Sequence, residues 1–435
     1  EVVKMEMKEL NTYALQALAE AGAEKAETVL SNSEKTEMNL ENGELKLVRT
    51  TVDHHWRLTA LRGQQRGSMS INQVTAEALS PAVTEVMAIA AASAPDPAHD
   101  IAGYQRPKVF RKGETNPNLE LMFQRLKTFT QEVSTRFPRI VLLSAQLDFT
   151  RSTTHFQNSN GVDFTVEQGA YNFSVMFSAK EGASSSSFNY SGFSVLNLEE
   201  ELLNGGSLRI LLDQADQGLA PRKAPGKFEG AVIIAPDCLE GFLHSLLGIT
   251  ISDGPLITGA SLFKDKLNQP VASPLLTVVS QPLGPEIAHG YFITDDGYEA
   301  QNTTIIQDGI LKTFLLSLYG ANKTGLPRGV NDGGAFVVTP GQQSLAEIIK
   351  GVKKGILLTR FSGGTPSLNG DFSGIAKNSF YVADGAIQYP LNETMIAGNL
   401  ISLFQEITAV SREQVNFGFA LLPWIASQGV TIAAQ

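Results

Sequence analysis

Residues 37–47 read Glu-Met-Asn-Leu-Glu-Asn-Gly-Glu-Leu-Lys-Leu, so apolar and polar side chains alternate on both sides of Asn42-Gly43. Alternation with a period of two is typical of a strand that buries one face. Asn-Gly is a preferred pair for a two-residue turn between antiparallel strands. The stretch therefore predicts a β-hairpin.

The sequence around this hairpin mixes helical and strand patterns. Leu10, Ala14 and Leu18 recur at helical spacing before Gly22, which predicts an amphipathic helix ahead of the hairpin. The remaining predictions for the first half are strands at 56–61, 68–71 and 140–180 (turning at 158–161), helices at 76–92, 198–217 and after Asn116-Pro117, and a connecting loop over 94–118. The helix after Pro117 has a predicted core stripe of Leu119, Met122, Phe123, Leu126, Val133 and Phe137.

The second half is richer in strand patterns. Turn pairs at Asp296-Gly297, Asp308-Gly309 and Asp384-Gly385 separate alternating runs, and the predicted elements include a strand at 228–235 and helices at 237–247, 345–353 and 396–407. We predict an α+β fold with two domains. Residues 1–220 form an N-terminal helix and hairpin α+β domain, and residues 221–435 form a C-terminal strand-rich antiparallel β domain with flanking helices.

Composition excludes several classes of protein. The chain has 435 residues, 43% of them hydrophobic, with 34 basic and 44 acidic side chains and a net charge of -10. Apolar runs stop well short of the roughly 18 residues that a membrane span needs, so we expect no membrane insertion. The negative charge, without a basic cluster, argues against direct binding to nucleic acid.

Cysteine and histidine usage limits the metal and redox chemistry. The single cysteine, Cys238, can form neither an internal disulfide nor a cysteine-rich zinc site, and we expect it to be a small buried side chain. A reducing cytoplasmic location follows, and the sequence as given shows no signal peptide. The six histidines, His54, His55, His99, His155, His244 and His289, include no pair with the spacing of an H-E-x-x-H zinc helix.

Serine chemistry is one alternative. Ser261 and Lys264 match S-x-x-K, and Lys323-Thr324-Gly325 matches K-T-G, as in penicillin-recognising enzymes, but the S-x-N element between them is missing. Lys264 lies in a polar stretch, so an independent serine hydrolase is a minor hypothesis.

The most unusual stretch is glycine-rich and spans residues 363–374. It includes Gly363, Gly364, Asn369, Gly370 and Asp371, and it lacks the lysine and the spacing of a phosphate-binding loop. These glycines could let the backbone approach a substrate or a partner chain closely. A tight crossing between two strands is an equal alternative.

Three blocks in this region resemble the C-terminal signature of the TldD/PmbA family. They are Asn-Gly-Asp-Phe-Ser-Gly at 369–374, Tyr-Val-Ala-Asp-Gly-Ala-Ile-Gln-Tyr-Pro at 381–390 and Met-Ile-Ala-Gly-Asn-Leu at 395–400. Asp-Gly-Ile-Leu-Lys at 308–312 and Leu-Leu-Pro at 421–423 extend the resemblance, which covers essentially the whole chain.

The resemblance implies a degenerate metal site. The TldD branch carries H-E-x-x-x-H and a C-terminal cysteine as zinc ligands, which correspond here to His244, Ser245, Ile249 and Phe417. One imidazole, without a carboxylate base and with two apolar side chains, cannot hold a catalytic zinc ion. The pattern resembles the PmbA branch, also called TldE, and implies no catalytic residue, metal or other cofactor in this chain.

The resemblance also implies partners. We expect a TldD-like protease subunit that carries the zinc, unfolded or leader peptides as substrates, and a possible homodimer when the chain is isolated. Segments 290–304 and 379–389 are the predicted strands that would line a peptide cleft. The main alternative is a regulatory protein-binding factor without protease activity, because the family was also named as modulators of DNA gyrase.

Overall fold

The computed structural model describes residues 6–41 and 43–434. Its helices are α1 (Met7–Glu20), α2 (Ala76–Ala92), α3 (Leu119–Arg136), α4 (Leu208–Gln217), α5 (Pro236–Thr250), α6 (Asp253–Ile257), α7 (Leu318–Thr324), α8 (Leu345–Lys350) and α9 (Leu400–Gln405). The strands of the first half are β1 (Lys25–Glu41), β2 (Glu44–Arg62), β3 (Gln65–Ile71), β4 (Lys108–Lys112), β5 (Ile140–Asn158), β6 (Asp163–Glu181), β7 (Ser184–Ser185) and β8 (Asn189–Val195).

The strands of the second half are β9 (Lys227–Ile234), β10 (Val278–Ser280), β11 (Thr303–Gln307), β12 (Ile310–Leu311), β13 (Phe336–Val338), β14 (Lys354–Leu358), β15 (Arg360–Gly363), β16 (Asp371–Lys377), β17 (Phe380–Ala383), β18 (Ala386–Pro390), β19 (Thr394–Asn399), β20 (Ile407–Asn416) and β21 (Leu421–Ala434). Together the elements confirm the predicted α+β class. No helix in the described ranges combines the length and the apolarity of a membrane span.

The predicted hairpin is present and is far longer than its sequence signal. β1 pairs antiparallel with β2 from Glu41 opposite Glu44 as far as Lys25 opposite Leu61. The segment predicted as a separate strand at 56–61 is therefore the second half of β2. Of the turn residues, Asn42 lies outside the described residues. The first sheet runs in the order β3-β2-β1-β5-β6-β4, and β7 and β8 also pair with β6.

A buried polar cluster holds α1 against this hairpin. Asn11 is fully buried, and its Oδ1 accepts hydrogen bonds from Thr28 Oγ1 at 2.5 Å and from Trp56 Nε1 at 3.1 Å. Its Nδ2 donates to the carbonyl oxygen of His155 at 3.2 Å. One asparagine therefore connects a helix to three strands, because these residues belong to β1, β2 and β5.

Several predictions for the first half need correction. The predicted helix over 198–217 is only a short 3₁₀ turn at Leu202–Asn204 followed by α4, because Gly205 and Gly206 interrupt it. The predicted loop 94–118 contains β4, which pairs parallel with β6. Helix α3 begins after an Asn118 cap. Its buried face differs from the predicted core stripe, because Leu119 and Phe123 are exposed and Phe129, which was not predicted, is buried.

Strand β21 organises the second sheet. It pairs antiparallel with β9, β19 and β20 and parallel with β13. The main path of the sheet is β12-β11-β10-β13-β21-β9-β14-β17-β18, and β15, β16, β19 and β20 lie off this path. Helix α5 packs on it through Leu239, Leu243 and Leu246, which belong to one continuous hydrophobic core.

Two predictions for the second half were wrong in extent. Residues 290–302 are irregular rather than a strand wall, because the carboxylate of Asp296 holds them as a loop. It accepts from Arg328 Nε at 2.7 Å, from the amide of Leu318 at 2.7 Å and from Thr294 Oγ1 at 2.6 Å. The predicted helix at 396–407 is shortened to α9, since residues 394–399 continue as strand β19.

The two sheets touch along a seam formed by the 291–299 loop. Phe292 stacks on Phe110 of β4 at 5.1 Å between ring centroids, and Gln105 Nε2 donates to the carbonyl of Gly297 at 2.9 Å. Glu27 of β1 lies at the same seam, where Arg57 Nη2 is 3.6 Å from its carboxylate. The predicted domain boundary after residue 220 falls between the sheets and stays a prediction.

We expect Asn11→Ala to reduce the free energy of unfolding by about 2–4 kcal/mol, because it leaves buried partners of the amide without hydrogen bonds. Urea denaturation would measure the change. Asn116→Ala, at an exposed position, is the control. An equal effect of both substitutions would show that the cluster around Asn11 does not stabilise the fold.

We expect Glu27→Gln to stabilise the protein increasingly as pH rises. Burial raises the pKa of Glu27 from 4.5 to about 7, so ionisation disfavours the folded state across this interval. The cost approaches about 3 kcal/mol above pH 7, and it is absent below the unfolded pKa. Urea denaturation at several pH values would reveal it. Exposed Glu20→Gln is the control, and a difference independent of pH would contradict the expectation.

Candidate functional site

Helix α5 carries the first group of candidate residues. It begins directly after β9 with Pro236 at its first position, where the missing amide hydrogen costs nothing. The predicted start of the helix at Asp237 lies in its first turn, since Ala235 is the capping residue. The buried side of the helix enters the core of the second sheet, whereas Gly241, His244 and Gly248 lie on its exposed side.

His244 is engaged by its own helix. Its Nδ1 lies 2.8 Å from Oε1 of Glu240, one turn earlier, and its ring meets the edge of Phe336 at 4.9 Å. The hydrogen bond with Glu240 raises the pKa of His244, because it favours the charged imidazolium. The interaction with Glu240 occupies only Nδ1, so His244 offers at most one nitrogen to a metal ion, and a single imidazole cannot hold a catalytic zinc ion.

The residues that correspond to the other zinc ligands of the TldD branch do not fit a metal. Ile249 and Phe417 are 7% and 4% exposed and belong to the hydrophobic core. Ser245, half-buried, has a hydroxyl where the catalytic carboxylate would be. Throughout residues 6–41 and 43–434, no three His, Cys, Asp or Glu side chains are grouped so that they could hold a metal ion. The site therefore does not suit zinc.

A cleft of about 310 Å³ opens beside this helix. The structure brings three of the sequence-predicted residues together in it: Ser245 from α5, and Gly363 and Gly364 from the glycine-rich segment. His244, Ile249 and Phe417 do not line it, and neither do Asn369, Gly370 and Asp371. The other lining residues are Tyr190, Asp237, Cys238, Gly241, Phe242, Arg360, Phe361, Thr365 and Pro366.

Arg360 is the charged group that dominates the cleft. Its guanidinium lies 3.3 Å over the Tyr190 ring and donates to the Asn189 side chain at 2.8 Å and to the carbonyl of Tyr190 at 2.6 Å. Burial lowers the pKa of Arg360. Among the described ion pairs it has no carboxylate within 4 Å, so part of its donor capacity can serve a bound polar group.

Asp237 and Cys238 form the floor of the cleft. Ser207 Oγ donates to Asp237 at 2.6 Å, and burial raises the pKa of this carboxyl group. Cys238 is buried, as predicted, and its Sγ lies 3.2 Å from the carbonyl oxygen of Thr359. Burial also raises the pKa of the Cys238 thiol, which makes it a poor nucleophile.

The glycine-rich segment is a hairpin between β15 and β16. Phe361 packs across it, and a Cβ on Gly363 or on Gly374 would come within 2.4 or 2.5 Å of its ring. At Gly363 and Gly374 the structure therefore shows the tight crossing between two strands, which is one of the two explanations that the sequence left open. Gly364 differs, because nothing lies within 4 Å of the Cβ position there.

Residues 369–371 build a separate structure at the far end of the hairpin. Asn399 Nδ2 donates to Asp371 Oδ1 at 3.0 Å and to the carbonyl of Asn369 at 2.8 Å, while Asn399 Oδ1 caps α9. Gly370 has a φ of +95°, and a Cβ there would meet Asn399 at 3.0 Å. These three residues hold the start of α9 in place.

Family models match most of the chain. The model of the PmbA/TldA metallopeptidase C-terminal domain matches residues 226–434, and that of PmbA/TldA metallopeptidase domain 1 matches residues 26–90. The chain belongs to the PmbA/TldD family.

Similar proteins extend over nearly the same length. Metalloprotease PmbA of Escherichia coli O157:H7 is 25% identical over 440 residues, which cover 93% of this chain and 92% of that protein. The structure of TldE from Thermococcus kodakarensis has a TM-score of 0.79 at 20% identity, over 98% of this chain and 99% of the other. A Bacteroides thetaiotaomicron protein described as a candidate modulator of DNA gyrase has a TM-score of 0.87 at 21% identity, with the same coverage. The two structural likenesses establish the fold.

In this PmbA/TldD chain the serine and lysine side chains of the two motif matches are not arranged as a serine hydrolase requires. Ser261 is buried, and its hydroxyl donates to the carbonyl of Thr250 and accepts from the amide of Phe263. Lys264 is exposed, and Lys323 is paired with Asp96 at 2.7 Å. The two sequence matches are therefore parts of ordinary loops and helix ends.

Sequence reasoning missed Arg360, Tyr190 and Asp237 as members of one cleft. Tyr190 is far from α5 in the sequence, and only the contact between the two sheets brings it near. Arg360 had one available signal: it immediately precedes the glycine-rich segment. The resemblance to the PmbA/TldD family indicated His244, whereas the cleft lies on the adjacent side of the same helix.

We expect Glu240→Gln to lower the pKa of His244, because the carboxylate that stabilises the imidazolium is removed. Nuclear magnetic resonance titration of the labelled imidazole would show the direction. Ser245→Ala, beside His244, should leave the titration unchanged. An unchanged midpoint in Glu240→Gln would mean that the ion pair does not form in solution.

Proposed function

We propose that this chain is the subunit without a catalytic metal in a two-chain peptidase of the PmbA/TldD family. A TldD-type partner would supply the zinc, and unfolded or leader peptides would be the substrates. The observation that carries the proposal is the site on α5: His244 is paired with Glu240, and the corresponding ligand positions are filled by Ile249 and Phe417. The names of PmbA and TldE relatives support it.

The cleft beside α5 gives this subunit a way to contribute to peptide binding. β15 pairs only with β16 among the described strands, so no described strand occupies its other edge, and this edge is where an extended peptide would add. Tyr190, which is 53% exposed, and the open space at Gly364 would accommodate side chains of that peptide. Arg360 would hold a peptide carbonyl or carboxylate through its remaining donors.

The test is cleavage of an unfolded peptide by this chain alone, by a TldD-type partner alone and by the mixture, each with and without a chelator. We expect cleavage that the chelator abolishes, and only in the mixture. Chelator-sensitive cleavage by this chain alone would overturn the proposal. Capture of a topoisomerase but no TldD-type chain would favour a regulatory role instead.

Two glycines of α5 provide a matched test of the cleft. Gly241 lines it and Gly248 does not, and both have no atom within 4 Å of the Cβ position. We expect Gly241→Trp to fill the cleft and reduce cleavage by the mixture about tenfold or more, which corresponds to at least about 1.4 kcal/mol. Gly248→Trp should cleave normally. Equal activity of the two variants, with assembly intact, would exclude the cleft from peptide binding.

A further inference from the structure

Two hydrogen-bond donor groups beside the cleft on α5 have no partner. Arg360 donates through Nε and Nη2 to Asn189 and to the carbonyl of Tyr190, whereas its Nη1 makes no hydrogen bond with a described residue. Asn189 is fully buried, and its Nδ2 is also without a partner among the described residues. Because a donor removed from water without a partner costs free energy, this pair favours a ligand that accepts hydrogen bonds.

Helix α5 closes the free edge of β15 at its beginning. The carbonyl of Leu358 accepts from the amide of Ala235 at 2.9 Å, and the carbonyl of Thr359 accepts from Cys238 Sγ at 3.2 Å. Thr359 itself is 1% exposed. An extended peptide on this edge therefore cannot continue past Arg360, so its last bound residue lies beside this side chain.

The electrostatics of this position favour the carboxyl end of a peptide over its amino end. Arg360 is a cation, and the first turn of α5 adds the positive end of a helix whose cap, Ala235, makes no side-chain hydrogen bond. Asp237 is the acidic residue that lines the cleft, and burial raises its pKa, which reduces the negative charge beside a bound anion. A terminal ammonium group would be repelled here.

We propose that this cleft binds the C-terminal residue of a peptide, with the α-carboxylate on Arg360 Nη1 and an apolar side chain against Phe242 and Phe361. The two rings lie 5.3 Å apart between centroids, and both line the cleft. Its volume of about 310 Å³ is at the small end of the range for ligand sites, about 300–1,000 Å³, and has room for about one or two residues.

Recognition of a free C-terminus rests on the proposed function, because it concerns the same peptides at the same cleft. With its carboxylate at Arg360, the peptide runs antiparallel to β15, which is the commoner arrangement of paired strands. The preceding residues pass Gly364, where nothing lies within 4 Å of the Cβ position. The favoured ligands are therefore unfolded peptides with a free carboxyl end and an apolar last residue.

Binding of short peptides to the full chain alone is the test. The probe is a pentapeptide with fluorescein at its amino end and phenylalanine at its carboxyl end, prepared as the free acid and as the C-terminal amide. Fluorescence anisotropy should show that the amide binds about tenfold or more weakly, because it lacks the charge-assisted hydrogen bonds to Arg360. An amide that ends in aspartate should bind no better, since its carboxylate is on a side chain. Equal affinities of acid and amide, or tight binding of the aspartate amide, would overturn the proposal.

Substitution of the arginine locates the binding. Arg360→Gln should remove the difference between the acid and the amide. Arg222→Gln is the matched control and should retain it, because Arg222 also lies over a tyrosine ring, Tyr389, at 5.4 Å, and does not line the cleft. If Arg360→Gln does not fold, the comparison of acid and amide on the unchanged chain still decides.

Failure of this inference and failure of the proposed function give different results. If the mixture with a TldD-type chain cleaves peptides but this chain binds acid and amide equally, or binds neither, the C-terminal site is wrong and the two-chain peptidase stands. If this chain selects the acid but the mixture does not cleave, the C-terminal site is supported and the proposed function is wrong.

Discussion

The position of β21 within the second sheet is the constraint on which the rest of that half depends. It pairs with β9 along one side and with β19 and β20 along its length, and it meets β13 in parallel at Val337 and Leu421. The pairings with β9 and β13 link strands far apart in the sequence, so this part of the sheet is assembled from non-local pairs. Because α5 follows β9 directly, its position against the sheet is fixed by the same pairing.

That arrangement explains how a degenerate metal site can keep its architecture. The buried side of α5 must fill the core whatever its exposed residues are, and Ile249 and Phe417 add to that core rather than leaving cavities. The space beside the helix is bounded by Phe361 and the glycine hairpin on one side and by Tyr190 from the first sheet on the other. The cleft is therefore a product of both sheets.

Local signals in the sequence predicted local structure. Asn42-Gly43 indicated the hairpin, and the helical spacing of Leu10, Ala14 and Leu18 indicated α1, because neighbouring residues determine both. The length of β2 was missed, since residues 44–55 are exposed on both faces and residues 48–55 show no regular alternation of apolar and polar side chains. The loop at 290–302 was missed because its conformation depends on Arg328, distant in the sequence. For the candidate site, the family resemblance indicated α5 and the glycine composition indicated the hairpin between β15 and β16. The association of Arg360 with Tyr190 is a tertiary contact without a local pattern.

Glu27 couples any opening of the seam between the two sheets to the release of a proton. Near pH 6 its carboxyl group is protonated in the folded structure, with a pKa of about 7, and it would ionise once exposed to water. Separation of the sheets at this seam therefore releases a proton to the solution. The heat of any such opening includes the heat of protonating the buffer, so calorimetry in phosphate and in an amine buffer should give different enthalpies for the same structural event.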